Sequence, residues 1–542
     1  MVEYPPMTKA LWQTGWRDRI WTTIQKPWDM VIIGGGITGA GILREATRTG
    51  LRALLVDAGD FASGTSSRSS KLVHGGFRYL RDAKFRLMLT SVREREYLLE
   101  QGRGLINPLS FLITSLEEDR IPSWVFGAGL ILYDLVGLQW GHQRYRPEGL
   151  RSLCPHLTSE GLRGGYRYFD AQTDDARLVL RVLLDSVEEG GVALNYARAE
   201  DLLFDRSGRV NGVALRDISL LSSDRTVEVP AKVVVNATGA WADSLRNKVG
   251  GRSRLRNLRG SHLVFPAEKF PLSRAITFLH PEDGRPVFAF PWEGVTLYGT
   301  TDIDHEHGLS NPPSTSENEI DYLLHGLSRV FPDLGLKEDD IQATCSGVRG
   351  VVDTGKENPS RESREYALWK EKGLLTVTGG KLTTFRVTGH DVMRAARTHF
   401  PSKPFFDHRV PVFNQVETQA DCLDTIDRGL RARLIGRYGN RAASLVTESS
   451  PGELEPIGNS PFLWAELRWA ARSEGVIHLE DLLLRRIRLG LTLPKGGFEL
   501  IEKIRKTIQS DLEWDDERWG VEERAYEALW NRAYRPFGER DI

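Results

Sequence analysis

Apolar and polar positions along this chain change period at glycines, and those changes mark its elements. Asp29-Met-Val-Ile-Ile33 is a short apolar run, and Gly34-Gly-Gly-Ile-Thr-Gly39 follows directly. Ala40–Thr49 reads as a helix closed by Gly50, and Leu51–Val56 is a second apolar run that ends at Asp57. The order strand, glycine turn, helix, strand predicts the start of a βαβ unit. Residues 1–27 mix charges with tryptophans, carry no strong pattern and read as an N-terminal arm.

Farther on, Ala83–Gln101 has helical spacing and stops at Gly102 and Gly104. Residues 105–165 are apolar and aromatic, broken by Gly and Pro, and their elements are not legible. Thr173-Asp-Asp175 puts acids before a predicted helix Ala176–Glu189, which Gly190-Gly191 ends. Val210–Leu215 and Val233–Asn236 read as strands. Arg285–Phe290 and Val295–Gly299 read as an antiparallel pair about a turn at Trp292-Glu-Gly294. Leu374–Val377 is a further strand, running into Gly379-Gly380 and a helix from about Thr383. Pro401, Pro404 and Pro411 punctuate a linker, and the chain beyond about residue 415 reads as helices rich in Arg, Glu, Leu and Trp.

Composition narrows the function classes. With 72 Lys+Arg against 73 Asp+Glu, the chain lacks the basic excess of a dedicated nucleic-acid binder, and none is expected as a partner. A hydrophobic content of 40% with 14 Trp argues against disorder. The three cysteines, Cys154, Cys345 and Cys422, form no CxxC pair, so neither a zinc ribbon nor a disulfide scaffold is expected, and a reducing compartment fits. No metal site is expected. The first thirty residues show no signal-peptide pattern. No apolar run reaches the roughly 18 residues of a membrane-spanning helix, although attachment to a membrane surface is open.

The candidate chemistry begins at Gly34-x-Gly36-x-x-Gly39. Gly34 permits the tight turn, Gly36 lets the backbone approach a pyrophosphate, and Gly39 allows close helix–strand packing. Asp57, 21 residues after Gly36, stands where an acid receives a ribose hydroxyl. The chain holds one such fingerprint. Thr238 and Gly239 end a second strand in a small-residue turn. Gly380, Lys381, Leu382 and Thr383 form a helix start that can face an electron-rich ring. Together these segments favour one large dinucleotide, FAD. The hydroxyl- and glycine-rich stretch with Thr65, Ser66, Ser70, His74 and Gly75 follows Asp57 closely and reads as a cofactor-facing loop.

Seven ordered blocks carry a resemblance. SSKLVHGGFRYL (69–80), TDDARLVL (173–180), VNATGAW (235–241), GSHLVFP (260–266), YGTTD (298–302), SGVRG (346–350) and GGKLTTF (379–385) closely resemble FAD-dependent glycerol-3-phosphate dehydrogenases. The resemblance runs from about residue 28 to 400 and continues through LEDLLLRRIRLGL (479–491). It departs at Arg259, Gly350 and Phe77, where the family often has Lys, Pro and Leu; Gly350 is expected to loosen the loop carrying Arg349.

The resemblance implies an α/β fold: a Rossmann-like FAD-binding domain (28–104, 161–258 and 342–400) interleaved with an antiparallel-sheet substrate domain (105–160 and 259–341). A helical C-terminal domain (415–542) follows. It implies oxidation of sn-glycerol 3-phosphate to dihydroxyacetone phosphate by hydride transfer from C2 to flavin N5. Electrons then pass to a quinone, with the protein peripheral on the inner face of the cytoplasmic membrane and room left for a homodimer.

The same resemblance places Arg78, Arg349, Arg364 and Lys381 near the substrate, with Tyr79 as a hydroxyl donor. His262 is the expected base, because histidine titrates near neutrality and this one lies in a substrate-domain strand. His74 is the competitor for that role and otherwise orients the flavin. Arg349 would stabilise a developing alkoxide, and Lys381 the charge on reduced flavin. The apolar stretch 105–138 and the basic segment Leu484-Arg-Arg-Ile-Arg488 are the expected docking faces. Competing readings are an oxidase that uses oxygen, an amine or amino-acid oxidase on the same scaffold, and a non-catalytic flavin-bound sensor.

Overall fold

The glycine cluster sits at one rim of a parallel sheet. In the computed structural model, residues 12–536 are described except 14, 77–84, 120, 138–140, 220–223, 401–406, 408 and 417–420. Strands Leu374–Thr378, Thr226–Asn236, Trp28–Ile33, Ala53–Val56 and Val192–Leu194 lie in that order, all parallel. Ile33 pairs with both Asn236 and Val56, so Gly34, Asp57 and Ala237 leave the sheet side by side. Ala53–Val56 is buried at every position, as expected for a strand covered on both faces.

Helices Ile37–Arg48, Asp175–Glu188 and Phe385–Ala396 pack together against the sheet. Glycine makes one of these crossings: a Cβ on Gly41 would stand 2.8 Å from the Phe385 ring. The antiparallel hairpin Ala197–Phe204 and Val210–Asp217 joins the outer part of Thr226–Asn236, and Ala367–Glu371 closes one edge.

The second sheet has ten strands, nearly all antiparallel. Leu255–Pro266 runs between Val295–Gly299 and Ala343–Val352, so His262 lies opposite both Gly299 and Cys345. Among the described residues the one parallel contact of this sheet joins Ala275–Leu279 to Ile106–Leu116. Leu162–Thr173 and Ala343–Val352, assigned from sequence to the cofactor-binding domain, belong to this sheet instead. Only pairing decides which sheet a strand joins.

Several elements refine the sequence reading. The described part of the helix expected from Ala83 spans Phe85–Gln101. Trp292 lies inside the strand Pro286–Trp292, so the hairpin turn is Glu293-Gly294 alone. Both turn residues have positive φ (45° and 84°), the twist a tight hairpin requires. The illegible stretch after residue 105 holds the strand Ile106–Leu116 and the helix Ser123–Gly137. Gly350 lies in a strand rather than a loop, where a Cβ would meet the Ala240 backbone at 3.0 Å.

The N-terminal arm contains a helix, Trp16–Thr23, that belongs to the main core. Trp12 donates its indole N–H to the Ala193 carbonyl at 3.2 Å, and Arg17 bonds Asp217 at 2.6 Å. Tryptophans at 12, 16 and 21 supply the buried face, and the charges between them hide the pattern in the sequence.

The C-terminal region is helical, as expected, but its basic segment is no docking face. Arg485, Arg486 and Arg488 are buried, the first two in a π-helical turn Leu482–Arg486. Arg486 holds Asp60 with two bonds of 2.6 and 2.8 Å, and Arg485 holds the same carboxylate at 2.6 Å. Arg488 reaches Asp175 at 3.0 Å, and Arg177 grips Glu474 at 2.5 and 2.9 Å. A buried guanidinium persists only with a paired carboxylate; here the pairs join the C-terminal helices to the cofactor-side loops.

Candidate active site

A cavity of about 960 Å³ runs from the glycine cluster to the second sheet. At its deep end the turn is fixed by close backbone approach. Gly34 has φ +115°, and a Cβ there would stand 2.5 Å from the Ala237 carbonyl; one on Gly39 would stand 1.8 Å from the Gly34 carbonyl. Gly36 lines the cavity at the start of the helix Ile37–Arg48, whose first N–H donates to Ser66 Oγ at 3.0 Å. Asp57 accepts the Gly35 N–H at 2.5 Å and the Gly59 N–H at 2.7 Å. Burial raises its carboxyl to about 6, with a further push from the Asp60 charge.

The other expected cofactor residues line the same cavity, except Gly39 and Gly75. Gly39 packs behind Gly34, while Gly75 donates its N–H to Asp170 at 3.0 Å and abuts Tyr133. Thr65 donates its hydroxyl to the Val348 carbonyl, tying the loop to the second sheet. Thr238 donates to Asn236 Oδ1 at 2.7 Å, and Thr383 to the His74 carbonyl at 3.3 Å. Gly379 and Gly380, both at positive φ, turn the chain into a helical turn Leu382–Thr384 ahead of Phe385–Ala396. From the C-terminal region, Glu480, Arg485 and Arg532 complete the wall.

At the other end His262 is buried, with Nε2 2.9 Å from Ser70 Oγ. Burial pushes the imidazole down, and the Lys71 and Arg349 charges push it further, to about 3. The ring is neutral at physiological pH. Lys71 itself is buried beneath the loop, bonded to both oxygens of Asp175 at 2.9 Å.

Arg349 and Arg364 face the cavity beside His262. Gly260 makes room for Arg349, since a Cβ there would stand 2.8 Å from its Nη2. Lys381 donates to Ser91 Oγ at 3.0 Å. Arg78 and Tyr79 lie outside the described residues. Arg259, where the family often has Lys, pairs with Glu319 at 2.6 Å. The sequence reading did not single out Asp302, a buried carboxylate 2.7 Å from Arg364; the last letter of YGTTD was its only mark.

The arrangement combines a dinucleotide-sized trough, a neutral proton acceptor and guanidinium donors for an anion. The family model for FAD-dependent oxidoreductases matches residues 29–392, and that for the C-terminal domain of α-glycerophosphate oxidase matches 405–519. Aerobic glycerol-3-phosphate dehydrogenases of Staphylococcus aureus and Staphylococcus haemolyticus are 38% and 33% identical, each over 85% of this chain and 86% of theirs. This chain belongs to the FAD-dependent aerobic glycerol-3-phosphate dehydrogenase family. The glycerol-3-phosphate dehydrogenase of Bacillus halodurans, solved with FAD, superposes with a TM-score of 0.77 at 27% identity, covering 96% of this chain and 98% of that one. The Mycoplasma pneumoniae L-α-glycerophosphate oxidase, at 15% identity and TM-score 0.54, covers 72% of this chain and 98% of its own, and shares the fold.

FAD is thus the cofactor of this dehydrogenase, and the cavity fits it. The Gly36 backbone and helix N-terminus suit a pyrophosphate, Asp57 a ribose, and the Gly380–Thr383 turn a flavin ring.

Proposed function

We propose that this enzyme oxidises sn-glycerol 3-phosphate at its C2 hydroxyl to dihydroxyacetone phosphate and passes the electrons to a membrane quinone. One juxtaposition carries the reading. A neutral, buried His262 and the guanidiniums of Arg349 and Arg364 face the cavity whose other end bears the dinucleotide fingerprint. Oxidising a phosphorylated secondary alcohol calls for a proton acceptor and an anion clamp at one place.

Bound FAD supplies the hydride acceptor at N5. The chain's own residues do the rest. Arg349 and Arg364 bind the phosphate dianion, with Arg preferred for its paired donors. His262 accepts the hydroxyl proton at Nε2, and Ser70 Oγ holds the ring and offers the proton a path to it. A dianion beside Arg349 offsets the cationic field that weakens His262, so substrate binding strengthens the base. Lys381 keeps positive charge on the wall of the flavin end.

No helix among the described residues is long and apolar enough to cross a membrane. The helix Ser123–Gly137 supports docking on a bilayer surface, because Trp124, Ile131 and Leu135 project from it into solvent.

The test is anaerobic addition of glycerol 3-phosphate to the yellow holoenzyme. Bleaching of the flavin, followed by faster reoxidation with a membrane quinone than with oxygen, is the expected result. Absence of bleaching sinks the substrate, and rapid reoxidation by oxygen replaces dehydrogenase with oxidase.

A further inference from the structure

We propose that Asp302 is a positioning residue that gathers Arg285, Arg349 and Arg364 into one receptor for the phosphate of the substrate. The inference rests on the glycerol 3-phosphate reading and adds two residues to it, Asp302 and Arg285.

The Asp302 side chain is fully buried, between the flavin cavity and a second cavity of about 1290 Å³. Its Oδ2 accepts Arg364 Nη2 at 2.7 Å and Ser360 Oγ at 3.1 Å, and lies 3.7 Å from Arg285 Nη2. Its Oδ1 lies 4.0 Å from Arg349 Nη2. Arg349 lines the flavin cavity, Arg285 the outer one, and Arg364 both. Three guanidiniums converge from three separate chain segments on one carboxylate.

The charges explain why the carboxylate is there. Three guanidiniums this close repel one another, and a partly buried site screens them less than bulk water does. One carboxylate permits the convergence and leaves a surplus of two positive charges, which matches a phosphate dianion. Several neighbouring acids of the outer cavity are engaged by other groups. Asp304 pairs with Arg256 at 2.5 Å, Glu319 with Arg259 at 2.6 Å, and Glu362 accepts from Thr354 and lies 3.6 Å from Arg256.

Asp302 touches neither the reacting carbon nor its proton, so its loss should move binding rather than the chemical step. The experiment compares wild-type holoenzyme with Asp302→Asn and Arg285→Gln. In Asp302→Asn the shape is kept and the arginines are released to separate. The KM for glycerol 3-phosphate and the Kd for inorganic phosphate, read from the flavin spectrum, should both rise about tenfold, with kcat within about threefold. Arg285→Gln removes a side chain on the outer wall and cuts the surplus to one charge; both constants should rise about threefold. FAD content should be unchanged in both.

If Asp302→Asn does not fold, Arg285→Gln decides alone. An unchanged or tighter phosphate Kd in the variants that fold overturns the proposal. Inorganic phosphate reads the receptor without turnover. Wild-type flavin that glycerol 3-phosphate fails to bleach therefore sinks the substrate reading, while the phosphate titration still judges Asp302.

Discussion

Two titrating side chains at opposite ends of the cavity set how this enzyme responds to pH. In the proposed role Asp57 would receive ribose hydroxyls as a carboxylate, yet burial raises its carboxyl to about 6. Acid therefore opposes FAD binding. Between pH 7 and pH 5 the Kd for FAD should weaken by about tenfold, one unit past the carboxyl's midpoint. Titration of the apoprotein by flavin fluorescence at several pH values measures it, and a flat Kd contradicts the role. His262 has the opposite displacement. Held at about 3, it stays neutral in the free enzyme far below its ordinary range, so the acid limb of kcat/KM should not fall near pH 6.5. His262→Ala should slow flavin reduction by ~10²-fold, and single-turnover reduction at the wild-type rate would move the proton to another acceptor. Both side chains are legible as residue types in motifs. Their displaced pKa values are not, because they arise chiefly from burial, which only the fold creates, with Lys71, Arg349 and Asp60 adding their charges.

Among the elements, the helix Ser123–Gly137 and the segment Leu482–Arg486 both fall in stretches expected as docking faces, and only one of them is exposed. In the apolar helix Trp124 is 70% exposed and Leu135 57%, as a docking face requires. The arginine-rich segment looks like a solvated face, yet each guanidinium is buried against a carboxylate from far along the chain. Sequence periodicity shows which residues share a helix face but not what covers that face, and buried charge is legible only once its partner is in place. The proposed surface attachment therefore falls to the apolar helix. A Trp124→Ser, Leu135→Ser double variant should lose most of its co-sedimentation with liposomes, and wild-type binding should persist in high salt. Flavin reduction by substrate should be unaffected. A variant that still sediments fully would place the contact elsewhere.

At the scale of the whole molecule, the order of motifs was enough to reveal the cofactor trough, because each glycine turn ends a strand of one parallel sheet. The clamp around Asp302 was not legible, since its members come from positions 285, 302, 349 and 364 and meet only in three dimensions. The same holds for the bonds from Arg485 and Arg486 to Asp60, three residues beyond Asp57. Those bonds have a thermodynamic consequence. Whatever steadies the loop from Asp57 to Asp60 also steadies the distant helices, and by reciprocity whatever loosens the helices must cost the enzyme FAD affinity. Adding FAD to the apoprotein should slow amide exchange throughout Leu482–Arg486, of which only Arg485 lines the cavity. Exchange there that ignores the cofactor would show two halves that merely touch; slowed exchange would show one unit, in which loss of the cofactor is felt across the chain.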